Sequence, residues 1–212
     1  VEACFEAGGI FDLRSRSPQA GGLLDGLAGG VDTLVAWRGE RIQVRVPGRE
    51  GCLSYRVNLD RASQQGHWRR EFVVATDAIL LDPELFLWLP DGVSDVAVEF
   101  RLPPGHSVSA PWEMLASTTK GAVFRTGAHA ALGDGKVALG RFETYRLDAI
   151  GAIVEVALLS GVPAVDRRML RRWLQANIEA VTAVTGRFPV SRLQLLVVPI
   201  GKGDEPVPGG QV

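Results

Sequence analysis

The chain has 212 residues, of which 46% are hydrophobic, and its formal net charge is -1. This composition is typical of a globular protein with one large domain or two small ones. The near-neutral charge argues against nucleic-acid binding, because domains that bind nucleic acids normally carry a basic patch. No apolar run approaches the roughly 20 residues that a membrane-spanning helix needs. We therefore expect neither a nucleic-acid partner nor a membrane span.

The two cysteines, Cys4 and Cys52, both lie in the first quarter of the chain. They are either two buried, reduced thiols or a disulfide that ties an N-terminal strand to a later strand. The chain begins with Val1 rather than methionine, so its start is either a processed end or a cut within a longer sequence, and a disulfide would point to a removed signal peptide. Because disulfides persist in oxidising compartments, we predict a Cys4–Cys52 disulfide and a periplasmic or secreted protein.

Short strands dominate the region from residue 41 to residue 159. Apolar and polar side chains alternate there with a period of two, which is typical of half-buried antiparallel strands. The apolar positions that share a face are Ile42, Val44 and Val46; Leu53, Tyr55, Val57 and Leu59; and Val96, Val98, Phe100 and Leu102. The turn Gly133-Asp134-Gly135 predicts a hairpin, and residues 17–34 are expected to form a loop with one helical turn. These features predict an all-β N-terminal domain over residues 1–160, built as a β-sandwich or a large open antiparallel sheet.

After Ser160 the periodicity becomes that of a helix. Asp166 is placed as the N-cap and Gly186 as the C-cap glycine. At about 100° per residue, one side gathers Leu170, Trp173, Leu174, Val181 and Val184, with Asn177 near the centre of the arc. The other side gathers Arg168, Arg171, Arg172, Gln175, Glu179 and Thr182. We expect the apolar side to cover a sheet and the polar side to meet water, with a buried Asn177 amide that bonds to the backbone of a neighbouring loop or lines a cleft.

The residues from Leu193 to Val198 form a nearly continuous apolar run. Such a run predicts a strand that is buried on both faces of a sheet. The preceding helix can cover one face, and the sequence shows no second cover. We therefore expect residues 161–212 to begin an α/β domain whose remaining strands and helices belong to a longer protein.

The sequence shows no catalytic motif. Its three histidines, His67, His106 and His129, lie in different segments, and the helical zinc motif HExxH is absent. There is no G-x-S-x-G nucleophile elbow, and "GKGDEP" lacks the pattern of a phosphate-binding loop. We expect no catalytic residue, no metal site and no cofactor site in this chain.

The order of these features resembles one family of peptidases. A β-rich region with "CLSYRVNLD" and "VEFRLPPGHSVSAPW" is followed by "LRRWLQANIEAVTAVTGRFPVSRLQLLVVP" and then by the Gly-rich "PVPGGQV". This succession resembles the N-terminal half of a gluzincin peptidase of the glycyl-aminopeptidase type, related to the wider zinc aminopeptidases. The resemblance covers residues 51–212.

The resemblance implies an α+β chain, in which the all-β domain leads into the first helix and strand of a thermolysin-like catalytic domain. It places Gly209, Gly210 and Gln211 in the glycine-rich loop that forms one side of the substrate cleft. That loop usually carries a Glu that binds the free amine of the substrate, and no Glu is present here. No residue of this chain matches the zinc ligands. The resemblance therefore implies that zinc is bound by a full-length parent and that this chain alone is inactive.

Three functions remain open at this point. The leading one is a non-catalytic N-terminal part of a secreted zinc metallopeptidase homologue, which supports and partly walls a peptide-binding cleft. Its partners would be the remainder of the catalytic domain and a peptide substrate. The second is a stand-alone β-sandwich module that binds peptide, glycan or protein through aromatics such as Trp37, Trp68, Trp88 or Trp112. The third is a degenerate homologue kept as a scaffold or an inhibitor-like partner, which the missing Glu favours.

Overall fold

The structure, a computed structural model, describes residues 1–38, 40–64, 72–74, 77–93, 95–118, 121–127, 135–160 and 166–199. Its strands are β1 Glu2–Phe5, β2 Gly9–Arg14, β3 Leu24–Gly29, β4 Leu34–Arg38, β5 Arg41–Val46, β6 Gly51–Val57, β7 Phe72–Val74, β8 Ala78–Leu81, β9 Leu89–Pro90, β10 Val96–Arg101, β11 Ser107–Ser109, β12 Glu113–Thr118, β13 Gly121–Thr126, β14 Val137–Gly140, β15 Phe142–Ala149, β16 Ala152–Leu159 and β17 Arg192–Val197. Its helices are α1 Ala20–Leu23, α2 Leu59–Gln64 and α3 Arg167–Thr185, with a 3-10 helix at Pro83–Leu85.

The described strands form five sheets of three or four strands each. In hydrogen-bonded order they are sheet 1 (β1-β6-β3), sheet 2 (β4-β5-β2-β9), sheet 3 (β11-β14-β8-β7), sheet 4 (β10-β13-β12) and sheet 5 (β15-β16-β17). Within this part of the chain every pairing is antiparallel except that of β16 with β17, which is parallel. The predicted antiparallel, β-rich character is confirmed, and the strands are divided among small sheets instead of one large one.

Sheets 1 and 2 share one core, which follows from the alternation seen in the sequence. Ile42, Val44 and Val46 point inward from β5, and Leu53 and Tyr55 point inward from β6. The predicted inward faces of these two strands are therefore confirmed. The prediction that Leu59 continues the face of β6 is wrong, because the chain turns after β6 and Leu59 begins α2.

The hydroxyl group of Tyr55 anchors this core to the next layer. It donates a hydrogen bond to the main-chain carbonyl of Phe86 at 2.7 Å, and both residues are buried. Burial also raises the pKa of the Tyr55 phenol, so the group stays neutral and keeps its proton for the bond.

We predict that Tyr55→Phe lowers the free energy of unfolding by about 1.5 kcal/mol, because it leaves a buried carbonyl without a donor. Tyr145→Phe is a matched control, since the Tyr145 hydroxyl has no hydrogen-bond partner among the described residues. Urea denaturation followed by circular dichroism measures both variants. Equal losses for the two variants would contradict the assigned role of the Tyr55 hydroxyl group.

Sheets 3 and 4 enclose a second core that is rich in aromatic rings. Phe100 stacks on Trp112 with ring centroids 6.2 Å apart, and Phe124 meets both rings edge-on. Trp112 is buried, so it packs beneath the sheet and does not face a ligand. Trp88 is buried as well, in the core of sheets 1 and 2. Neither tryptophan is exposed, so neither can contact a ligand as the stand-alone binding module would require.

Sheet 5 lies between α3 on one face and sheet 3 on the other. Toward α3 it presents Leu147, Val154 and Val156, and toward sheet 3 it presents Ala157 and Leu159. Strands from both sides of the predicted boundary at residue 160 thus belong to one sheet, because β16 precedes the boundary and β17 follows it. The division into 1–160 and 161–212 stays a prediction.

The predicted disulfide is present between β1 and β6. Cys4 and Cys52 are direct partners in the antiparallel register, and their Cα atoms are 4.1 Å apart. Cys4 is exposed and Cys52 is half-buried. None of the described helices combines the length and the apolar character that crossing a membrane demands. The disulfide is compatible with an extracellular location, and the periplasmic or secreted location stays a prediction.

Candidate functional site

The helix α3 begins and ends where the sequence predicts. The Asp166 carboxylate accepts hydrogen bonds from the main-chain N–H groups of Arg168 and Met169, at 2.9 and 3.0 Å. Gly186 ends the helix in the left-handed region with φ 76°, and its N–H donates to the Thr182 carbonyl at 2.8 Å. Both predicted caps are confirmed, and they satisfy main-chain groups at the two ends of the helix.

One ridge of α3 packs onto sheet 5. Leu174, Ile178 and Thr182 are buried on it, and Leu170 is half-buried. The prediction that Thr182 faces water is wrong, because its hydroxyl group donates to the Ile178 carbonyl at 2.8 Å and is thereby satisfied within the helix. We call these four residues the inner ridge.

One flank of α3 is tied to β15 by polar contacts. These are Arg167 to the Glu143 carboxylate (2.9 Å), the Arg171 guanidinium over the Tyr145 ring (5.4 Å) and Gln175 Nε2 to the Asp148 carbonyl (3.0 Å). Burial, and then the nearby Glu143 carboxylate, raise the pKa of the Tyr145 phenol, so Arg171 lies over a neutral ring. Arg171 and Gln175, predicted to meet water, therefore line the contact with β15.

The opposite flank of α3 carries apolar side chains that are not covered. Met169, Trp173 and Val184 are 61%, 59% and 87% exposed, and Val181 is exposed too. The prediction that Trp173, Val181 and Val184 cover the sheet is wrong, because the inner ridge takes that place. These four residues, which we call the outer ridge, follow one another at helical spacing on the side of α3 that faces away from β15.

Asn177 lies along the outer ridge and is exposed. Its amide Nδ2 donates to the main-chain carbonyl of Trp173 at 2.8 Å, one turn earlier in the helix. The predictions of a buried amide and of a bond to a neighbouring loop are therefore wrong, because the side chain is exposed and its partner is a carbonyl of the same helix.

The strand β17 is half-buried along its whole length and has covers on both faces. Leu193, Leu195 and Val197 pack toward α3, and Leu196 packs toward sheet 3. Gln194 Nε2 reaches sheet 3 as well and donates to the Ser109 hydroxyl at 2.9 Å. The expectation that no second cover exists in this chain is wrong, because sheet 3 provides it.

What β17 lacks, among the described residues, is a neighbour on one edge. It is the last strand of sheet 5, next to β16. The Ile153 N–H donates to the Ser191 carbonyl at 3.0 Å. In a parallel ladder this pattern turns the main-chain N–H and C=O groups of Arg192, Gln194 and Leu196 away from β16. The three residues thus form an open hydrogen-bonding edge, on the same side of sheet 5 as the outer ridge.

The start of β17 is fixed by ion pairs on the face toward sheet 3. The Glu155 carboxylate accepts from Arg192 and, at 2.9 Å, from Arg146. Since Glu155 and Arg192 are both largely shielded from solvent, this contact holds the open edge in place.

No described group of side chains is suited to bind zinc. Glu2, Cys4 and Cys52 are the only such donors that come together in the described residues, and the disulfide consumes both sulfur atoms. His106 is near the Pro104 carbonyl in a loop, whereas His67 and His129 lie outside the described residues. Gly209, Gly210 and Gln211, the predicted substrate-contacting residues, also lie outside them.

Comparison with known proteins gives similarity in structure alone. No family model matches the sequence, and no curated protein matches it. An aminopeptidase N family protein from Idiomarina loihiensis is similar in structure with a TM-score of 0.68 and 15% identity, over 91% of this chain and 35% of that chain. An M1 zinc metallopeptidase from Deinococcus radiodurans has a TM-score of 0.48 and 13% identity, over 92% of this chain and 49% of that chain.

The chain therefore has a fold that is also found in an aminopeptidase N family protein. At the level of the fold, the resemblance to zinc aminopeptidases is confirmed. The chain spans about a third of the length of that protein, since it covers 35% of it.

Proposed function

We propose that this chain acts as the non-catalytic N-terminal part of a secreted or periplasmic zinc metallopeptidase homologue of the aminopeptidase type. The observation that carries the proposal is the fold shared, with a TM-score of 0.68, with an aminopeptidase N family protein nearly three times as long as the matched part. In this role the chain supports the catalytic part and forms one wall of its peptide-binding cleft.

The outer ridge and the open edge of β17 form the surface that meets the catalytic part. An exposed strand edge pairs readily with another strand, and natural proteins normally protect such edges. Exposed apolar side chains next to that edge favour a packed partner rather than water. A strand added beside β17 and an element packed on Trp173 and Val184 would satisfy both features together.

In this proposal α3 and β17 are the first helix and strand of a thermolysin-like catalytic domain. The parallel pairing of β16 with β17 supports this, because it sets β17 apart from the antiparallel pairing of the other described strands. The parent protein supplies the zinc ligands and the catalytic residues. Gly209, Gly210 and Gln211 remain the residues proposed to contact substrate.

Hydrogen exchange at β17 tests the proposed surface. In this chain alone, the N–H groups of Arg192, Gln194 and Leu196 should exchange quickly because they point to the open edge. Those of Leu193 and Leu195 bond to β16 and should exchange slowly. In the full-length product of the gene, the first three should become as protected as the other two. Nuclear magnetic resonance resolves the two sets, and each serves as the control for the other.

Fast exchange of the three edge amides in the full-length product would overturn the proposed surface. Zinc content and aminopeptidase activity of that product test the parent function separately. Protected edge amides without bound zinc would favour the degenerate homologue, which keeps the scaffold and has lost the chemistry.

A further inference from the structure

The outer face of sheet 2 carries a set of arginines that the proposed function does not use. Because Ile42, Val44 and Val46 point inward, the residues between them point outward. The cross-strand register then gives three rows on the outer face: Leu34–Arg45–Ile10, Ala36–Gln43–Asp12 and Arg38–Arg41. Arg14, which follows Leu13 in β2, extends the third row. We call this surface the arginine face.

The arginine face has an excess of positive charge. Arg14 is paired with Asp91 at 3.3 Å, and Asp12 accepts a hydrogen bond from Gln43 at 3.2 Å. None of the described carboxylates lies within ion-pair distance of Arg38, Arg41 or Arg45, including that of Glu40 in the β4–β5 turn. Three arginines therefore project to solvent without an acidic partner among the described residues.

The stability of the fold does not account for this arrangement. Arg38 and Arg41 are direct cross-strand partners, and like charges in that position destabilise a sheet. At the other end of the face, Ile10 and Leu34 are each 65% exposed and flank Arg45. The arginine face thus combines arginines that lack acidic partners among the described residues with two apolar side chains that are not covered. A partner that supplies both acidic and apolar groups would stabilise both features.

We propose that the arginine face binds an acidic segment of a polypeptide, a role beyond the proposed support of a catalytic domain. Arginine recognises carboxylates with a planar fork of donors, which suits Arg38 and Arg41. Ile10, Leu34 and the aliphatic stem of Arg45 form a small platform for an apolar side chain. The two ends of the face are four residues apart on β5, which is about 13 Å.

The middle row sets the specificity of the site. A second acid, opposite the Asp12 carboxylate, would be repelled. The preferred segment is therefore extended, with an apolar residue, an acidic residue four positions away, and no acid at the position midway between them. The charge excludes a basic peptide. A lipid surface fits less well, because a bilayer would need the apolar side chains to lie deeper than the guanidinium groups, and here Arg45 stands between Ile10 and Leu34.

The test uses the peptide acetyl-Thr-Leu-Thr-Thr-Thr-Glu-Thr-amide, titrated into isotope-labelled protein at low salt. Chemical-shift changes should concentrate in β4 and β5. The Arg38→Gln/Arg41→Gln variant should bind about tenfold more weakly. A peptide with Gln in place of Glu should lose affinity to a similar degree, and a peptide with a second Glu midway should not gain any. The variant should stay folded, because it removes a repulsion.

The matched control is Arg168→Gln/Arg172→Gln, which removes the same charge from exposed arginines on α3 and should leave binding unchanged. Equal weakening by both double variants would show that only net charge matters and would overturn the proposal. So would tight binding of vesicles that contain phosphatidylserine, combined with no response to the peptide. Shift changes confined to α3 would overturn it as well.

Discussion

Replacing Cys4 and Cys52 together by alanine should lower the free energy of unfolding by about 4 kcal/mol. The disulfide closes a loop with a sequence separation of 48, and the loss of that restraint gives the unfolded chain much more conformational freedom. It also fastens β1, which is an edge strand of sheet 1 with a four-residue ladder to β6.

Chemical denaturation with and without a thiol reductant measures this effect. Because Cys4 is exposed, the reductant should reach the bond in the folded protein, and the wild type should then match the double variant. The double variant itself should not respond to reductant, which controls for other effects of the reagent. A wild type whose denaturation midpoint is the same with and without reductant would contradict the stabilising role.

The strands with regular alternation could be predicted from the sequence because each one buries a single face. In β5 every second residue is apolar, and the structure buries those residues and exposes or half-buries the rest. Strand β3 could not be found in this way. Its sequence LDGLAG contains two glycines, and its ladder with β6 shifts register between Asp25 and Ala28, so no period of two survives.

The helical turn expected in residues 17–34 is present as α1, but the hairpin expected at 133–135 lies largely outside the described residues. The apolar sequence FLWLP at residues 86–90 resembles a short strand. Only Leu89–Pro90 pairs, because the preceding residues leave the 3-10 helix and enter the cores instead. A short apolar run can form either a strand or a buried loop. Its sequence does not distinguish the two, because tertiary packing determines which one forms.

For α3 and β17, the apolar pattern of the sequence does not by itself predict which element covers each face. The apolar arc of α3 is wider than one ridge, and the sequence alone does not reveal which ridge meets sheet 5. In the structure Leu174 and Ile178 pack on sheet 5, the contacts of Arg167 and Arg171 lie against β15, and Trp173 is left outside. The apolar run of β17 correctly predicts two covered faces, but only the topology identifies sheet 3 as the second cover.

The arginine face was missed for a related reason. The alternation of Arg41 and Arg45 with apolar residues is visible in the sequence and reads as an ordinary solvated face. The charge excess appears only when the register brings Arg38 opposite Arg41. The signal in the sequence is the absence of acidic residues from the outward positions of β4 and β5, which becomes informative only once the two strands are paired.

Substitutions of two neighbouring residues on α3 test the core of this chain and its proposed interface separately. Leu174→Ala should lower the free energy of unfolding by about 3 kcal/mol, because Leu174 is buried on the inner ridge and its loss leaves a cavity against sheet 5. Trp173→Ala should change it by less than about 0.5 kcal/mol in this chain. The Trp173 side chain is 59% exposed, and the hydrogen bond from Asn177 goes to its main-chain carbonyl, which alanine keeps.

Urea denaturation followed by far-ultraviolet circular dichroism measures both variants without relying on tryptophan emission. In the full-length product of the gene, the difference between the two variants should narrow: Trp173→Ala should there lower the free energy of unfolding by about 2 kcal/mol or more, because the outer ridge is covered by the catalytic part. Leu174→Ala should cost the same in both proteins and serves as the internal control. If Trp173→Ala is as harmless in the full-length product as in this chain, the outer ridge is not an interface, and the surface proposed for α3 and β17 fails together with it.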